Sequence, residues 1–451
     1  LTGYPGSPVA TVFTAAAACQ NLLKEKGIVA QIANNEALSA SRLHGARMAN
    51  VRAMTVFKSV GMHVASDALA IGNMAEPRKP EGGALVIVGD DPWMDSTQTN
   101  SDSRFLSQHL QIPVLQPATI QEMKDWIKLG FELSGQSDLY ITYHVTTNQV
   151  DGGGTVDVFP NDYPDLNVHN PLTLDAAKAK ENDLVVLPPL SWHCEATLKE
   201  RYVRLWQGAR ERKVDQILYP QSNKAPLGFV TAGLSYSYLE HALTELGLSE
   251  TFPILKLGIT YPLDPEVLAN FLKNVENVVV VEEKRAFIET QIIELIRDLV
   301  QSEKLLSYPH VWGKKFPFEL EGFPSDMGLS PTLVIRKLIP LFKKAQESGL
   351  IHINMKGIQS VADHFNEVDD LPSFPLFPRT PTFCPGCPHR DSSAVFLEIK
   401  KDFRDPEYMK TQHGSKPIDL IFHGDTGCYS MLDFPPNETL MLNYAGMGLG
   451  G

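Results

Sequence analysis

The chain has 451 residues, room for about three domains at roughly 150 residues each. Forty basic against 53 acidic residues leave a net charge of −13, which excludes a binder of nucleic-acid phosphates, since that work needs a basic face. With 43% hydrophobic and 21% charged residues the chain reads as globular, and whole-chain disorder is excluded. The longest apolar candidate, Ala10 to Leu23, is interrupted by Thr11, Thr14, Gln20 and Asn21. It falls short of the roughly 18 residues a membrane span requires. No secretory signal opens the chain. Five cysteines are too few for a disulfide scaffold, so a reducing cytoplasm is the expected compartment. The start at Leu1 on a Gly-Pro turn and the stop on Gly-Leu-Gly-Gly predict a piece of a longer polypeptide.

In chain order, helices are predicted at Ala10–Lys26, Ala37–Ala49, Ser66–Met74 and Ile120–Leu133. They are interleaved with strands at Ile28–Ile32, Ala53–Phe57, Ala84–Val88 and Leu139–His144. Such alternation predicts an α/β fold with a parallel sheet, whose ligands sit at the carboxyl ends of the strands. The turns Thr2–Pro8, Asn34–Glu36, Lys58–His63 and Gly89–Arg104 fall there. Residues 151–180, rich in Gly, Asp, Pro and Asn, read as a linker. A second α/β block follows. Its strands are predicted near Leu184–Leu187, Gln216–Tyr219, Gly228–Thr231, Ile254–Leu257 and Val278–Val281. Its helices are predicted near Ala196–Arg212, Tyr236–Leu246, Pro265–Leu272 and Ile288–Val300. Glu282-Glu283 at a strand end reads as helix N-terminal charge ahead of a catalytic pair. Residues 303–381, Pro-punctuated with one clear helix at Pro331–Glu347, read as a linker, and a third unit starts at Thr382.

Cys384-Pro-Gly-Cys387 and Cys428, which follows Gly424-Asp-Thr-Gly427, place three thiols in a short stretch. In a cytoplasmic protein that grouping points to metal or redox chemistry. The Pro-Gly turn lets both sulfurs of the first pair face one centre. From spacing alone an iron–sulfur cluster, a zinc site with His389 or His423 as fourth ligand, and a redox dithiol all stay open. Cys19, in an Ala-rich helix, and Cys194, at a helix start, read as buried or inert.

Several motifs occur in fixed order: Thr2-Gly-Tyr-Pro-Gly-Ser-Pro8, Asn35-Glu36, Lys58-Ser-Val-Gly-Met-His63, Asp90-Asp-Pro92, Asp102-Ser-Arg104, Gly258-Ile-Thr-Tyr-Pro-Leu263, Val280-Val-Glu-Glu283 and Phe383-Cys-Pro-Gly-Cys-Pro-His-Arg390. Together they resemble the 2-oxoacid:ferredoxin oxidoreductases, most closely the indolepyruvate branch. The resemblance implies a pyrimidine-binding thiamine domain over residues 1–165 and a transketolase C-terminal-like domain over 180–302. It also implies the start of a diphosphate-binding domain over 382–451. It further implies oxidative decarboxylation of a 2-oxoacid, an arylpyruvate such as indolepyruvate, with thiamine diphosphate, Mg²⁺, a [4Fe-4S] cluster, coenzyme A and ferredoxin. A homodimer, or a gamma-type subunit or fused domain, is implied as well, with no nucleic acid and no membrane.

Carried over residue by residue, the resemblance makes Glu36 the catalytic carboxyl that hydrogen-bonds the aminopyrimidine ring nitrogen and favours the imino tautomer as internal base. A first-turn carboxylate on a helix dipole is the structural alternative. Tyr4, Pro5 and Gly427 join Glu36 as cofactor-binding residues. Ser7, Arg104, Lys58 and His63 are assigned to the substrate, with the Arg104 guanidinium clamping its carboxylate. Cys384, Cys387 and Cys428 are the metal ligands.

Two departures stand out. Relatives of the indolepyruvate type usually read Lys-His-x-Gly-x-Asn where this chain has Ser59 in place of the histidine and His63 in place of the asparagine. That leaves the oxoacid side chain open. The Gly-Asp-Gly…Asn segment that binds Mg²⁺ and diphosphate is not recognisable, because Gly424-Asp-Thr-Gly427 goes with the cysteines. That site and a fourth cluster ligand are expected past Gly451, and the chain as given is expected not to turn over. The competing readings are a non-oxidative thiamine decarboxylase or transferase, and a zinc-stapled non-catalytic scaffold that regulates a partner.

Overall fold

The computed structural model describes residues 1–47, 51–75, 82–160, 185–372, 375, 377, 379–424 and 427–442. The chain divides into two compact units, Leu1–Asp369 and Asp370–Gly451. The first unit is α/β, and its strands are β1 (Thr2–Gly3), β2 (Gln31–Ile32), β3 (Ala53–Lys58), β4 (Ala84–Asp90), β5 (Val114–Leu115), β6 (Ile141–Thr146), β7 (Gln216–Leu218), β8 (Gly228–Ala232), β9 (Ile254–Leu257), β10 (Ile259–Tyr261), β11 (Asn277–Val281) and β12 (His310–Trp312). The amino-terminal helices are α1 (Thr11–Ala18), α2 (Gln20–Glu25), α3 (Glu36–Ala46), α4 (Ser59–Met74), α5 (Arg104–His109), α6 (Ile120–Ser137) and α7 (Thr147–Val150).

The first sheet has the order β10-β5-β6-β4-β3-β1-β2 and is parallel except for β10, which runs antiparallel to β5. Its centre is β4, buried along its whole length. Period-two alternation sends Val86 and Val88 to a core with Leu43, Met62 and Leu69 of α3 and α4. Leu85 and Ile87 go to the opposite core with Phe13, Phe131 and Leu133 of α1 and α6. The second sheet, β12-β11-β8-β9-β7, repeats the logic: Val278 and Val280 face one core, Val279 and Val281 the other. Purely apolar strands covered on both faces are what parallel sheets demand.

Four differences from the sequence reading have physical causes. The 303–381 stretch is not a linker as a whole. Strand β12 extends the second sheet, and the helices Pro331–Glu347 and Lys356–Asp369 bury Ile335, Leu338, Phe342, Ile358 and Ala362 against it. The proline that opens the first of these helices sits at its first turn, where a missing N–H costs nothing. The boundary between the two α/β blocks is also crossed, because β10 leaves the second block to edge the first sheet. The long first helix breaks into α1 and α2 at Cys19, and this cysteine is exposed rather than buried, whereas Cys194 is buried. Residues 185–187 form no strand, while Leu184 and most of the 151–180 linker lie outside the described residues. Among the described residues, no helix is long and apolar enough to cross a membrane.

Candidate active site

The parallel strands β1 to β4 end at one edge of the first sheet, and the connections that leave them carry most of the candidate residues. Asn35 caps α3 by accepting from the Leu38 amide (2.8 Å), which places Glu36 at the first helical position. Glu36 is only 3% exposed. A Cβ at Gly61, in the first turn of α4, would stand 2.6 Å from Glu36 Oε1 and 2.9 Å from its carboxyl carbon. The bare glycine therefore makes the room this carboxyl occupies.

The β1–α1 turn lies next to it. Gly6 packs on the stem of Lys58, with the Lys58 Cβ 2.8 Å from where a Gly6 Cβ would be. Tyr4 is half-buried and its amide donates to the Val56 carbonyl (3.1 Å), while Pro5 and Ser7 are exposed. Lys58, at the end of β3, is buried, and its Nζ donates to the Ser96 carbonyl (2.6 Å). Burial lowers its pKa and Asp91 works the other way. His63 is exposed on α4. Glu36, Gly61, Lys58, Gly6 and Ser7 thus belong to adjoining turns.

Arg104 is buried among acidic partners. It is 4% exposed, and its guanidinium is bidentate to Asp102 (Nε–Oδ1 2.8 Å, Nη2–Oδ2 3.1 Å). It also donates to Glu282 Oε2 (3.3 Å) and the Glu283 carbonyl (2.8 Å). Burial opposes its charge, but Asp102 and Glu282 outweigh burial and raise its pKa. This fork joins the two sheets of the unit. Glu282 in turn accepts from the amides of Ile288 (2.9 Å) and Glu289 (3.1 Å), the first turn of the Ile288–Gln301 helix. That is the helix-charge role rather than the catalytic one.

A buried polar chain that the sequence did not reveal runs beside it. His144 pairs with Asp90 Oδ2 through Nε2 (2.8 Å), and Gln116 Nε2 donates to His144 Nδ1 (3.0 Å), which requires the Nε2–H tautomer. The adjacent cavity measures about 20 Å³, room for one water and not for a substrate. Asp90 stood in a quoted motif, but Gln116 and His144 carry no local signal.

The thiols lie in the second unit. The Cys387 amide donates to the Cys384 carbonyl (3.2 Å) around Gly386, whose φ of 74° suits glycine. His389 Nδ1 lies 3.4 Å from Cys387 Sγ, and its ring meets Tyr429, the neighbour of Cys428, edge-on at 4.7 Å. Phe383, Leu432, Leu440 and Met441 form the small core beneath. Cys384 and Cys428 are exposed, and Gly427 has φ of 117° with open space around it. The donor set suits a soft-metal or sulfur-bridged centre, and Cys387 packs against that core. Among the described residues, however, no three His, Cys, Asp or Glu side chains stand close enough together to hold a metal ion.

Residues 218–364 match the family described as "Indolepyruvate oxidoreductase domain". The chain is 27% identical over 441 residues to the indolepyruvate oxidoreductase subunit IorA of Pyrococcus horikoshii, covering 97% of this chain and 60% of that protein. This chain is thus similar to indolepyruvate oxidoreductase subunits over nearly its whole length. The IorA subunit of Methanothermobacter marburgensis is 28% identical, over 96% of this chain and 61% of that protein. The chain spans about 60% of the length of these relatives. Among solved structures, a 2-oxoglutarate:ferredoxin oxidoreductase from Magnetococcus marinus aligns with a TM-score of 0.50 at 16% identity. The alignment covers 75% of this chain and 61% of that one, and it establishes a shared fold.

Proposed function

We propose that this chain is the thiamine-binding part of an enzyme that oxidatively decarboxylates a 2-oxoacid, an arylpyruvate such as indolepyruvate, with coenzyme A and ferredoxin. The observation that carries the reading is Glu36: a carboxyl 3% exposed, at the first position of a helix, at the ligand-binding edge of a parallel sheet, in space left by Gly61. Thiamine diphosphate, bound with Mg²⁺, supplies the chemistry that releases carbon dioxide from a 2-oxoacid. Glu36 holds a proton against the far ring nitrogen of its aminopyrimidine. Tyr4 and Pro5, on the turn beside Glu36, flank the cofactor, and Ser7 and His63 face the substrate side. Cys384, Cys387 and Cys428 would hold a [4Fe-4S] cluster, which would supply one-electron transfer towards ferredoxin, and Gly427 leaves its backbone open beside Cys428. The name "subunit" carried by the relatives supports a multi-subunit assembly, and a reducing cytoplasm suits exposed thiols.

The test uses full-length protein purified without oxygen, a panel of aryl and aliphatic 2-oxoacids, coenzyme A and a viologen dye. Coenzyme A-dependent dye reduction is expected, and Glu36→Gln is expected to slow it by about 10²–10⁴-fold without changing the circular dichroism spectrum. Dye reduction with none of the oxoacids, or an undiminished Glu36→Gln enzyme, overturns the reading.

A further inference from the structure

We propose that the cavity beside the helix Leu234–Glu245 binds a small organic dication of the diamine class, at a site that shares no residue with the candidate active site. Glu240 and Glu250 take its two charges, and the Tyr219 ring takes the carbon chain between them.

The helix presents two faces. Leu239, Ala242 and Leu243 enter the core beside the second sheet, whereas Ser237, Glu240, His241 and Thr244, spaced three, one and three residues apart, share another side. Two neighbours enclose the space over that side. Tyr219 follows the edge strand β7, and the turn after the helix is pinned by the buried Leu248 and Phe252 and carries Ser249 and Glu250 between them. The cavity measures about 460 Å³, within the roughly 300–1,000 Å³ usual for small-molecule sites.

The lining is acidic and held in place. Glu240 Oε1 accepts from the phenols of Tyr236 (2.6 Å) and Tyr219 (3.3 Å), which fixes the carboxylate and leaves Oε2 for a ligand. The Ser249 hydroxyl donates to Thr244 Oγ1 (3.1 Å), and the Thr244 hydroxyl donates to the Glu240 carbonyl (2.9 Å), so the turn is tied to the helix. Burial, then Glu240 and then Glu250 push the Tyr219 phenol up, so both carboxylates bear on that one ring. Among the described residues no lysine or arginine lines the cavity, and neither acid is in a salt bridge.

The spacing selects the ligand. Glu240, His241 and Glu250 line one cavity, yet among the described residues no three such side chains stand close enough together to hold a metal ion. A single coordinated metal ion is therefore disfavoured, whereas a short chain with an ammonium at each end reaches both acids. Its methylenes have Leu243 and Ile254 to lie against, and an ammonium beside Tyr219 also gains from the negative face of the ring.

The experiment titrates putrescine, butylamine and butanediol calorimetrically into the full-length protein at physiological ionic strength. Putrescine is expected to bind saturably and roughly fivefold more tightly than butylamine, and butanediol not to bind. Glu240→Gln and Glu250→Gln are each expected to bring putrescine down to the affinity of butylamine with the melting temperature unchanged, and Tyr219→Leu to weaken both amines. Equal affinity of the two amines for wild type, saturable butanediol binding, no putrescine binding, or wild-type putrescine affinity in either glutamine variant overturns the inference. Magnesium chloride in place of the amine is expected to give no heat that the two glutamine variants abolish, and such a heat would assign the cavity to a metal ion instead. Because no oxoacid enters the titration, failure of the thiamine reading leaves the outcome untouched.

Discussion

Glu36 depends on what its neighbour lacks. A methyl group at Gly61 would meet Oε1 at 2.6 Å, Cγ at 2.7 Å and the carboxyl carbon at 2.9 Å, closer than such contacts are ever tolerated, so the carboxyl must move. A displacement of about 1 Å at a reacting group costs on the order of 10²-fold in rate. Gly61→Ala is therefore expected to lower kcat by about 10–100-fold and to raise the thiamine diphosphate concentration for half-saturation, with a small change in melting temperature. Shortening the acid in the double variant Gly61→Ala/Glu36→Asp should recover part of the cofactor affinity. A double variant no better than Gly61→Ala alone would show that the contact does not set the carboxyl's position. The place of Glu36 at a helix start was legible because a strand end, a capping asparagine and a glutamate are consecutive in the chain. The fate of Arg104 was not, because its partner Glu282 comes 178 residues later. A lone arginine at a helix start reads the same whether it faces a ligand or a buried acid.

Among the elements, strands that bury both faces were the easiest to read: the valine run Asn277–Val281 and the apolar β4 announce themselves without any alternation. Strand β10 was missed because three residues show no period. It is placed by tertiary contacts instead, above all by Asp215, whose Oδ1 accepts from the amides of Gly258 (2.7 Å) and Ile259 (3.0 Å) where β9 passes into β10. Burial pushes the Asp215 carboxyl up to about 6, against the pull of those two amides. The unfolded group titrates near 3.9, so between about pH 4 and pH 6 the native state binds more protons than the unfolded one. Over that window stability falls as pH rises, and above it the full penalty of an ionised buried acid persists. Asparagine keeps the accepting oxygen without the charge. Asp215→Asn is expected to raise the melting temperature at pH 8 by roughly 2–4 °C and to lose this advantage near pH 4. Thermal unfolding at both pH values checks it, and an unchanged gap between them would mean that another group sets the dependence.

At the scale of the whole molecule, the two sheets and their connection through β10 and Arg104 make Leu1–Asp369 one unit, while the thiols belong to another. The helix Lys356–Asp369 escaped the sequence reading because its apolar face becomes meaningful only against the second sheet. The Cys384, Cys387 and Cys428 grouping reads as donor chemistry from residue type alone. It could not be read as cluster or zinc from spacing, since three thiols satisfy part of either ligand set. Composition of the bound metal separates them. In full-length protein prepared without oxygen, iron and acid-labile sulfide in equal amounts are expected, and Cys384→Ser, Cys387→Ser or Cys428→Ser should each remove most of both. Cys19→Ser should leave the iron unchanged, because its exposed thiol lies at the α1–α2 junction in the first unit. His389→Ala decides between the metals: as a zinc ligand it would cost the site its metal, whereas beside a thiolate-held cluster it alters only the surroundings of Cys387 Sγ, 3.4 Å away. Stoichiometric zinc that His389→Ala abolishes would replace the iron–sulfur assignment.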